Sequence, residues 1–472
     1  MKTEERSPLS ERLASRLPPG LITALERALP YVTRALERAR VFVIPALPYL
    51  PLALFGILGA TLAYIVRLPC RTGGWNDQVS TYTNFCYTDI YPLYFDRQLA
   101  TQNPYFADVP FDKHVEYPVV LGEVMQAFSW LVRRLEPDHV AQAVRFYDIT
   151  VIFLGICLVA GVVLMALVAG PARRWDALWY ALAPSVILAA YINWDLVAGA
   201  LSMGMLLAWA RKRQVLAGVL LGLAIATKFY PLMFVGALFL LTLRTARWRP
   251  FLVTMAATVG TWLAVNLPFM VLAWDGWRRF YVFSQERGVD WGSPWLFFQN
   301  KGWPVLGEAD VSMLGTVSLA ILCLGIAILT LAAPRRPRLA QICFLALAAF
   351  MMTNKVWSPQ FVLWLVPFAV LARPNWKPIA LWQFAEVWYF FAIWLYLLSQ
   401  PPLSRDDLGI GDDTYFTAVW GRVITISIMM AFVVRDILRP GKDVVRQADV
   451  DDQVGGVFDD APDRFTLASS PR

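Results

Sequence analysis

An all-α protein that crosses a membrane many times is the fold class this sequence predicts, on three observations. Hydrophobic residues make up 58% of the 472 residues and charged ones only 16%, where a soluble domain carries about 25% charged residues. The apolar mass comes in long runs, among them 144–170, 250–274, 311–333 and 377–399. Each is as long as the roughly 20 residues that span a hydrocarbon core as a helix, and none alternates as a barrel strand would. The 20 Trp and 17 Tyr suit anchoring at the two membrane interfaces.

The basic balance fits the same picture. A formal charge of +7 could suggest nucleic acid, but the Arg and Lys residues stand in short clusters between apolar runs, where the positive-inside rule puts them. No nucleic-acid partner is expected. Twelve spans follow, near 44–67, 144–170, 175–191, 194–210, 214–227, 229–243, 250–273, 311–333, 338–353, 358–373, 377–399 and 416–436. The clusters Arg173–Arg174, Arg211–Arg213, Arg244–Arg249, Arg335–Arg338, Arg373–Lys377 and Arg435–Lys442 then share one side, the cytoplasmic one, with both termini. The count closes only if 117–135, bracketed by Glu116, Glu123 and Arg133–Arg134, lies on the outer surface without crossing.

This divides the chain into a cytoplasmic leader (1–43), a membrane domain (44–436) with extracytoplasmic loops 68–143 and 274–310, and an acidic tail (437–472). The leader shows no h-region of a signal peptide. Its Leu9, Leu13, Leu17 and Leu21, Leu25, Leu29 recur every four residues, as on interfacial amphipathic helices; a disordered basic leader is the alternative. The tail, rich in Asp from Asp449 to Asp463, reads as disordered and solvated. Cys157, Cys323 and Cys343 sit inside apolar runs as inert core residues. Cys70 and Cys86 share one outer polar loop, where a disulfide would close it in an oxidising compartment. Two His and two loop Cys make a poor zinc set, so no metal is expected.

Most of the unusual chemistry falls on the outer face. From Thr88, a plausible N-cap, the first loop reads as a helix, with Asp89 at its start and Asp96 seven residues on, on the same face. The helix dipole keeps Asp89 ionised, and a carboxylate at a cavity mouth can serve as a general base. On local pattern alone, capping the helix is the stronger reading. Tyr117 and Pro118 open the surface helix, and His114 and Glu116 either touch substrate or are solvated loop residues. Asn193, Trp194 and Asp195 join two spans, with Asp195 read as a cap. Lys228 lies between two apolar halves, where a charge is costly unless it is paired or faces water. A phosphate would suit it, as would snorkelling to the interface. Lys355 precedes Trp357, Ser358, Pro359 and Gln360, and Gln360 can hydrogen-bond a sugar hydroxyl. Loop 274–310 adds five Trp with Arg278, Arg279 and Arg287, and Arg278–Arg279 suits an anionic headgroup. A carboxylate, cations and aromatic planes around one membrane cavity suit sugar transfer from a lipid phosphate. They would also suit a lipid or solute transporter. The large first loop and the lack of an obvious internal repeat favour the enzyme.

The order of these motifs resembles glycosyltransferase family 87, membrane enzymes of the GT-C fold that use polyprenyl-phosphate sugars, with actinobacterial mannosyltransferases of cell-envelope lipoglycans among them. The resemblance rests on Asp89, Pro104–Tyr105, Tyr117–Pro118, Asn193–Asp195, Thr227–Lys228 with Tyr230–Pro231, and Ser358–Gln360; Val119 stands where the family has a second Pro. It covers about 45–436 and implies an inverting transfer in which Asp89 takes the acceptor's proton. Lys228, Lys355 and Arg278 would meet the donor phosphate. Asp96, Tyr117, Glu116, His114, Asn193, Asp195, Tyr230, Gln360 and Trp357 would line the substrates. The donor would carry mannose, or arabinofuranose as the sibling case, and the acceptor would be a glycolipid or glycan. No cofactor is implied, and the expected location is the plasma membrane with the site facing outward.

Sidedness is testable directly. In a background free of native Cys, single residues at Lys212→Cys and Gly288→Cys should react from opposite sides with an impermeant thiol reagent. Labelling from the same side defeats the topology.

Overall fold

The computed structural model describes residues 47–302, 307–446 and 451–467, and they contain helices and no strand. From Leu52 onward the described residues form one compact unit. The leader's amphipathic helices, Trp303 and Asp449 lie outside the described residues.

The first long helix, α1 (Leu50–Arg71), leads through α2 (Gln78–Thr83) and α3 (Ile90–Asp96) to the surface helix α4 (Val119–Leu135). The sulfurs of Cys70 and Cys86 are joined, with Cα atoms 5.9 Å apart, so the end of α1 is tied to the segment entering α3. Two starts are written in the sequence. Asp77 accepts from the N–H groups of Val79 and Ser80 at 3.1 Å, and Asp138 accepts from Ala141 at 2.8 Å to open α5 (His139–Ala169). Each fills an otherwise unbonded first-turn donor.

The expected span 175–191 is not one helix. It breaks into α6 (Leu178–Leu182) and α7 (Pro184–Ala189), with Ala183 out of the helical region at ψ 131°. Pro184 causes this, because its ring disfavours a helical residue before it and it has no N–H to donate. Next come α8 (Asp195–Ala210), α9 (Gln214–Ile225), α10 (Met233–Thr245) and α11 (Trp248–Leu272). α9 lies against α11 through Gly218 and Gly222, four residues apart. A Cβ on either would sit 2.3 Å from the Thr254 carbonyl oxygen or 2.6 Å from that of Thr258. Small residues on one helix face permit this backbone approach.

The remaining helices are α12 (Trp274–Glu286), α13 (Pro294–Asn300), α14 (Glu308–Ala332), α15 (Leu339–Thr353), α16 (Val362–Ala372), α17 (Trp376–Ser399) and α18 (Asp412–Leu438). Among the described residues, six helices are long and apolar enough to cross a membrane: α1, α5, α11, α14, α17 and α18. Five shorter apolar stretches of 10–17 residues accompany them. α15 and α16 are nearly enclosed by protein, whereas α11 and α14 leave most of their apolar surface uncovered.

The tail corrects an expectation. Residues 451–461 are largely enclosed, and 462–467, though exposed, are tied by backbone hydrogen bonds to Arg244 and Leu331, because the basic clusters meet their counter-charges there. Asp463 pairs with Arg244 at 2.7 Å and Asp451 with Arg336 at 2.6 Å. Upstream, Asp443 pairs with Arg338 at 2.8 Å and Asp436 with Arg373 at 2.7 Å. Phe458 is buried against Trp209, whose indole N–H donates to the Gly455 carbonyl at 2.9 Å. A tail made of Asp alone would stay in water; this one alternates Asp with Val454, Phe458 and Ala461, which go inside.

Truncation after Arg446 would leave Arg244 and Arg336, 1% and 6% exposed, without these carboxylates. Breaking a buried ion pair by removing one partner costs about 3–5 kcal/mol. The truncated protein should therefore melt several degrees below the full chain in detergent, and an unchanged melting temperature would return the tail to solvent.

Candidate active site

α10 and α15 each run from the basic end, at Arg244 and Arg338, to a second end at Tyr230 and Asn354. At that second end lies a cavity of about 820 Å³. Its wall combines the first loop, the turn before α8, the Lys228 break, the end of α12, the segment after α15 and one face of α17. The segments read from sequence as sharing one face therefore do meet.

Asp89 enters from the first loop and is half-buried. Its N–H donates to the Ile192 carbonyl at 2.7 Å, and the Thr88 hydroxyl donates to that of Tyr191 at 2.8 Å, so the loop is clamped to the turn before α8. The Asp89 side chain makes no cap to α3. Thr88 accepts from the Ile90 N–H instead, at 3.2 Å. The capping reading, stronger on local pattern, is thus replaced. The carboxylate faces the cavity and accepts from the Tyr87 hydroxyl at 2.7 Å. Burial raises its pKa to about 6, against the Tyr87 hydrogen bond and the Lys228 charge, while Asp195 and Glu116 push the same way as burial.

Lys228 follows the last turn of α9 and reaches Asp195 at 2.9 Å, with the Lys228 side chain 14% exposed and that of Asp195 fully buried. The ammonium also lies 5.0 Å from the Tyr117 ring centre and 5.9 Å from that of Trp364. Asp195 is therefore the partner of Lys228 rather than a cap. Asn193 supplies the helix start, accepting from the Asp195 N–H at 3.1 Å. Tyr230 stacks on Trp364, centres 4.6 Å apart. Glu116, on the cavity wall, is held by Arg97 at 2.6 Å. Gln360 lines the cavity at 8% exposure.

The cations are arranged differently from expectation. Lys355 is on the wall, donating to the Gln285 carbonyl at 2.8 Å. Beside it, among the loop arginines, stands Arg287, paired with Asp290. Arg278 does not line the cavity; it pairs with Asp275 at 2.9 Å and covers the Phe111 ring. Asp96 does not line it either and is exposed, since α3 is a short helix that turns its last residue outward. His114 is buried against the Pro104 carbonyl at 3.2 Å. Trp357 is fully buried beneath the wall. Sequence reasoning also missed Tyr87, two residues before Asp89, and Trp394 on α17, which stacks on Tyr87 at 4.5 Å. Nothing local marks Trp394 among the apolar residues of its helix. Among the described residues, three carboxylates close enough to share a cation are Asp451, Asp459 and Asp460, in the tail; Asp89, Glu116 and Asp290 form no such group.

The arrangement offers a carboxylate of raised pKa, three cations and several aromatic rings around one cavity, which is the equipment for moving a proton beside an anionic leaving group. No curated protein matches the chain. Residues 138–354 match the sequence model of glycosyltransferase family 87, a segment that holds Asn193, Asp195, Lys228 and Arg287, ends at Asn354, and supports a membrane glycosyltransferase.

Proposed function

We propose that the protein is an integral-membrane glycosyltransferase that moves a sugar, mannose in the first instance, from a polyprenyl-phosphate donor to a glycolipid or glycan hydroxyl. The reaction takes place on the extracytoplasmic face of the plasma membrane, within a twelve-span fold whose two termini are cytoplasmic. One observation carries the reading. Among the described residues, Glu116, Asp195 and Asp290 are each paired with a cation, whereas Asp89 has only the Tyr87 hydroxyl as a side-chain partner.

In this mechanism the acceptor oxygen attacks the anomeric carbon as Asp89 takes its proton. The bond from that carbon to the phosphate oxygen breaks on the opposite face, so the configuration inverts. The lipid phosphate departs with the electron pair toward Lys228, Lys355 and Arg287, and these cations stabilise its charge without a metal. Lys228 can serve although paired, because an ammonium has three donors and Asp195 takes one. Tyr87 keeps the Asp89 carboxylate oriented.

Asp89→Asn keeps size but cannot accept a proton. Transfer from labelled polyprenyl-phosphomannose or polyprenyl-phosphoarabinofuranose should fall by about 10²–10⁴-fold, the usual contribution of a general base. Near-normal transfer by this variant would sink the assignment, and absence of both transfer and slow donor hydrolysis in the wild type would favour a transporter.

The pH dependence carries a sign. The base works deprotonated, so wild-type transfer should climb through about pH 6 and level above it. Tyr87→Phe should move that midpoint upward, since the lost hydrogen bond favours the charged form. Stability runs the other way. A carboxyl whose folded pKa lies above its unfolded value contributes stability at low pH that is lost as pH rises through the folded pKa. Asp89→Asn should therefore melt higher relative to wild type at pH 8 than at pH 4; a melting difference that does not change with pH contradicts the raised pKa.

A further inference from the structure

Two loops carry the cationic wall, and they are sewn together. The Asp290 N–H donates to the Lys355 carbonyl at 2.9 Å, and the Trp357 N–H donates to that of Trp291 at 3.3 Å. The Ser293 hydroxyl donates to the Asn354 carbonyl at 3.0 Å. Arg287 and Lys355 project from this clasp into the cavity.

Beneath the clasp lies a buried charge that the proposed chemistry does not use. Arg422 of α18 is 0% exposed and faces Glu386 of α17 at 3.0 Å, itself 2% exposed. Glu386 also accepts from the Trp382 indole at 2.9 Å. The Arg422 guanidinium donates to the Trp357 carbonyl at 3.0 Å and lies 4.4 Å from the Trp357 ring centre and 3.9 Å from that of Tyr389. The second loop is held from the same helix. The Gly292 N–H donates to the Tyr415 hydroxyl at 2.7 Å. Gly292 has φ +78°, and a Cβ there would lie 2.1 Å from the Trp357 carbonyl oxygen. Each loop thus hands one backbone group to α18 with no space between them.

An ion pair is not needed to join two apolar helices. Replacing a buried pair by hydrophobic residues of similar volume is often neutral or stabilising, because the desolvation of both ions is recovered. What this pair supplies and an apolar pair cannot is a fixed donor for the Trp357 carbonyl. We propose that Arg422, oriented by Glu386, is a positioning residue that fixes the clasp of 285–293 on 354–360 and so sets where Arg287 and Lys355 meet an anionic ligand. The anionic ligand rests on the lipid-phosphate reading above. The clasp itself does not.

The variant that separates positioning from scaffolding is Glu386→Leu with Arg422→Met, which removes both charges at once. It should keep its melting temperature close to that of the wild type. Hydrogen exchange should quicken in 286–292 and 354–358 and not along α17 and α18. Farnesyl phosphate, a sugar-free lipid phosphate, should bind about tenfold more weakly by calorimetry, as expected when a hydrogen bond to a charged group no longer holds the binding wall. In the transfer assay the donor KM should rise while the acceptor KM stays. Tyr415→Phe removes the Gly292 anchor without touching a charge, and it should quicken exchange in the same two loops; it decides the case if the double variant fails to fold. Wild-type exchange in those loops, in Tyr415→Phe or in a folded double variant, overturns the positioning role whatever the ligand is. Loosened loops in a protein whose wild type does not bind farnesyl phosphate keep the positioning role and overturn the lipid-phosphate reading alone.

Discussion

Charge taken out of water must find a partner or be neutralised, a carboxylate by taking up a proton, and the placement of every enclosed charge discussed above obeys that constraint. At the basic end Arg244, Arg336, Arg338 and Arg373 are met by carboxylates of the last forty residues. Between the two final long helices Arg422 meets Glu386. At the cavity Lys228 meets Asp195. Asp89, half-buried on the cavity wall, has a hydroxyl in place of a cation, and its response is a raised pKa. The same rule that neutralises the other carboxylates leaves this one basic enough to hold a proton near neutrality.

The helices were legible because a membrane imposes length and apolarity on anything that crosses it. The shared end of the motifs was legible because Arg and Lys mark the other end. Features that depend on contact between distant residues were not. Arg278 and Arg287 are alike in sequence, and only the pairing of the loop with Lys355 tells which one enters the cavity. Asp96 looked like a companion of Asp89 by helical phase, but Asp89 precedes a helix that begins at Ile90, so the phase does not carry across. The tail looked solvated because composition was weighed without its apolar residues, which the arginines draw inward with the carboxylates. The break at Pro184 was readable and was outweighed by hydropathy.

Function enters through segments rather than through a single motif. Family similarity covers the middle of the chain, while the carboxylate read as the base precedes that region and the arginine beneath the cationic wall follows it. The cavity is assembled from both flanks onto the centre. The Asn193 turn receives the first loop through hydrogen bonds from the Asp89 N–H and the Thr88 hydroxyl to its carbonyls, and the loop after α12 receives the segment after α15. Small residues matter where these pieces touch, as at Gly292 and at Gly122, where a Cβ would strike the Tyr105 hydroxyl at 2.1 Å.

The docked tail bears on how the protein is made. A ribosome delivers the chain from its N-terminus at about 5–20 residues per second, so Arg244 is in place long before Asp463 has been synthesised. Until then the arginines at that end have only water or lipid headgroups for company. The helices can insert one after another, but that end closes only when residues 451–467 leave the exit tunnel. A stop codon just after Arg446 would spare every described helix and still yield a protein whose final assembly step is missing, open to proteolysis at the end remote from its cavity.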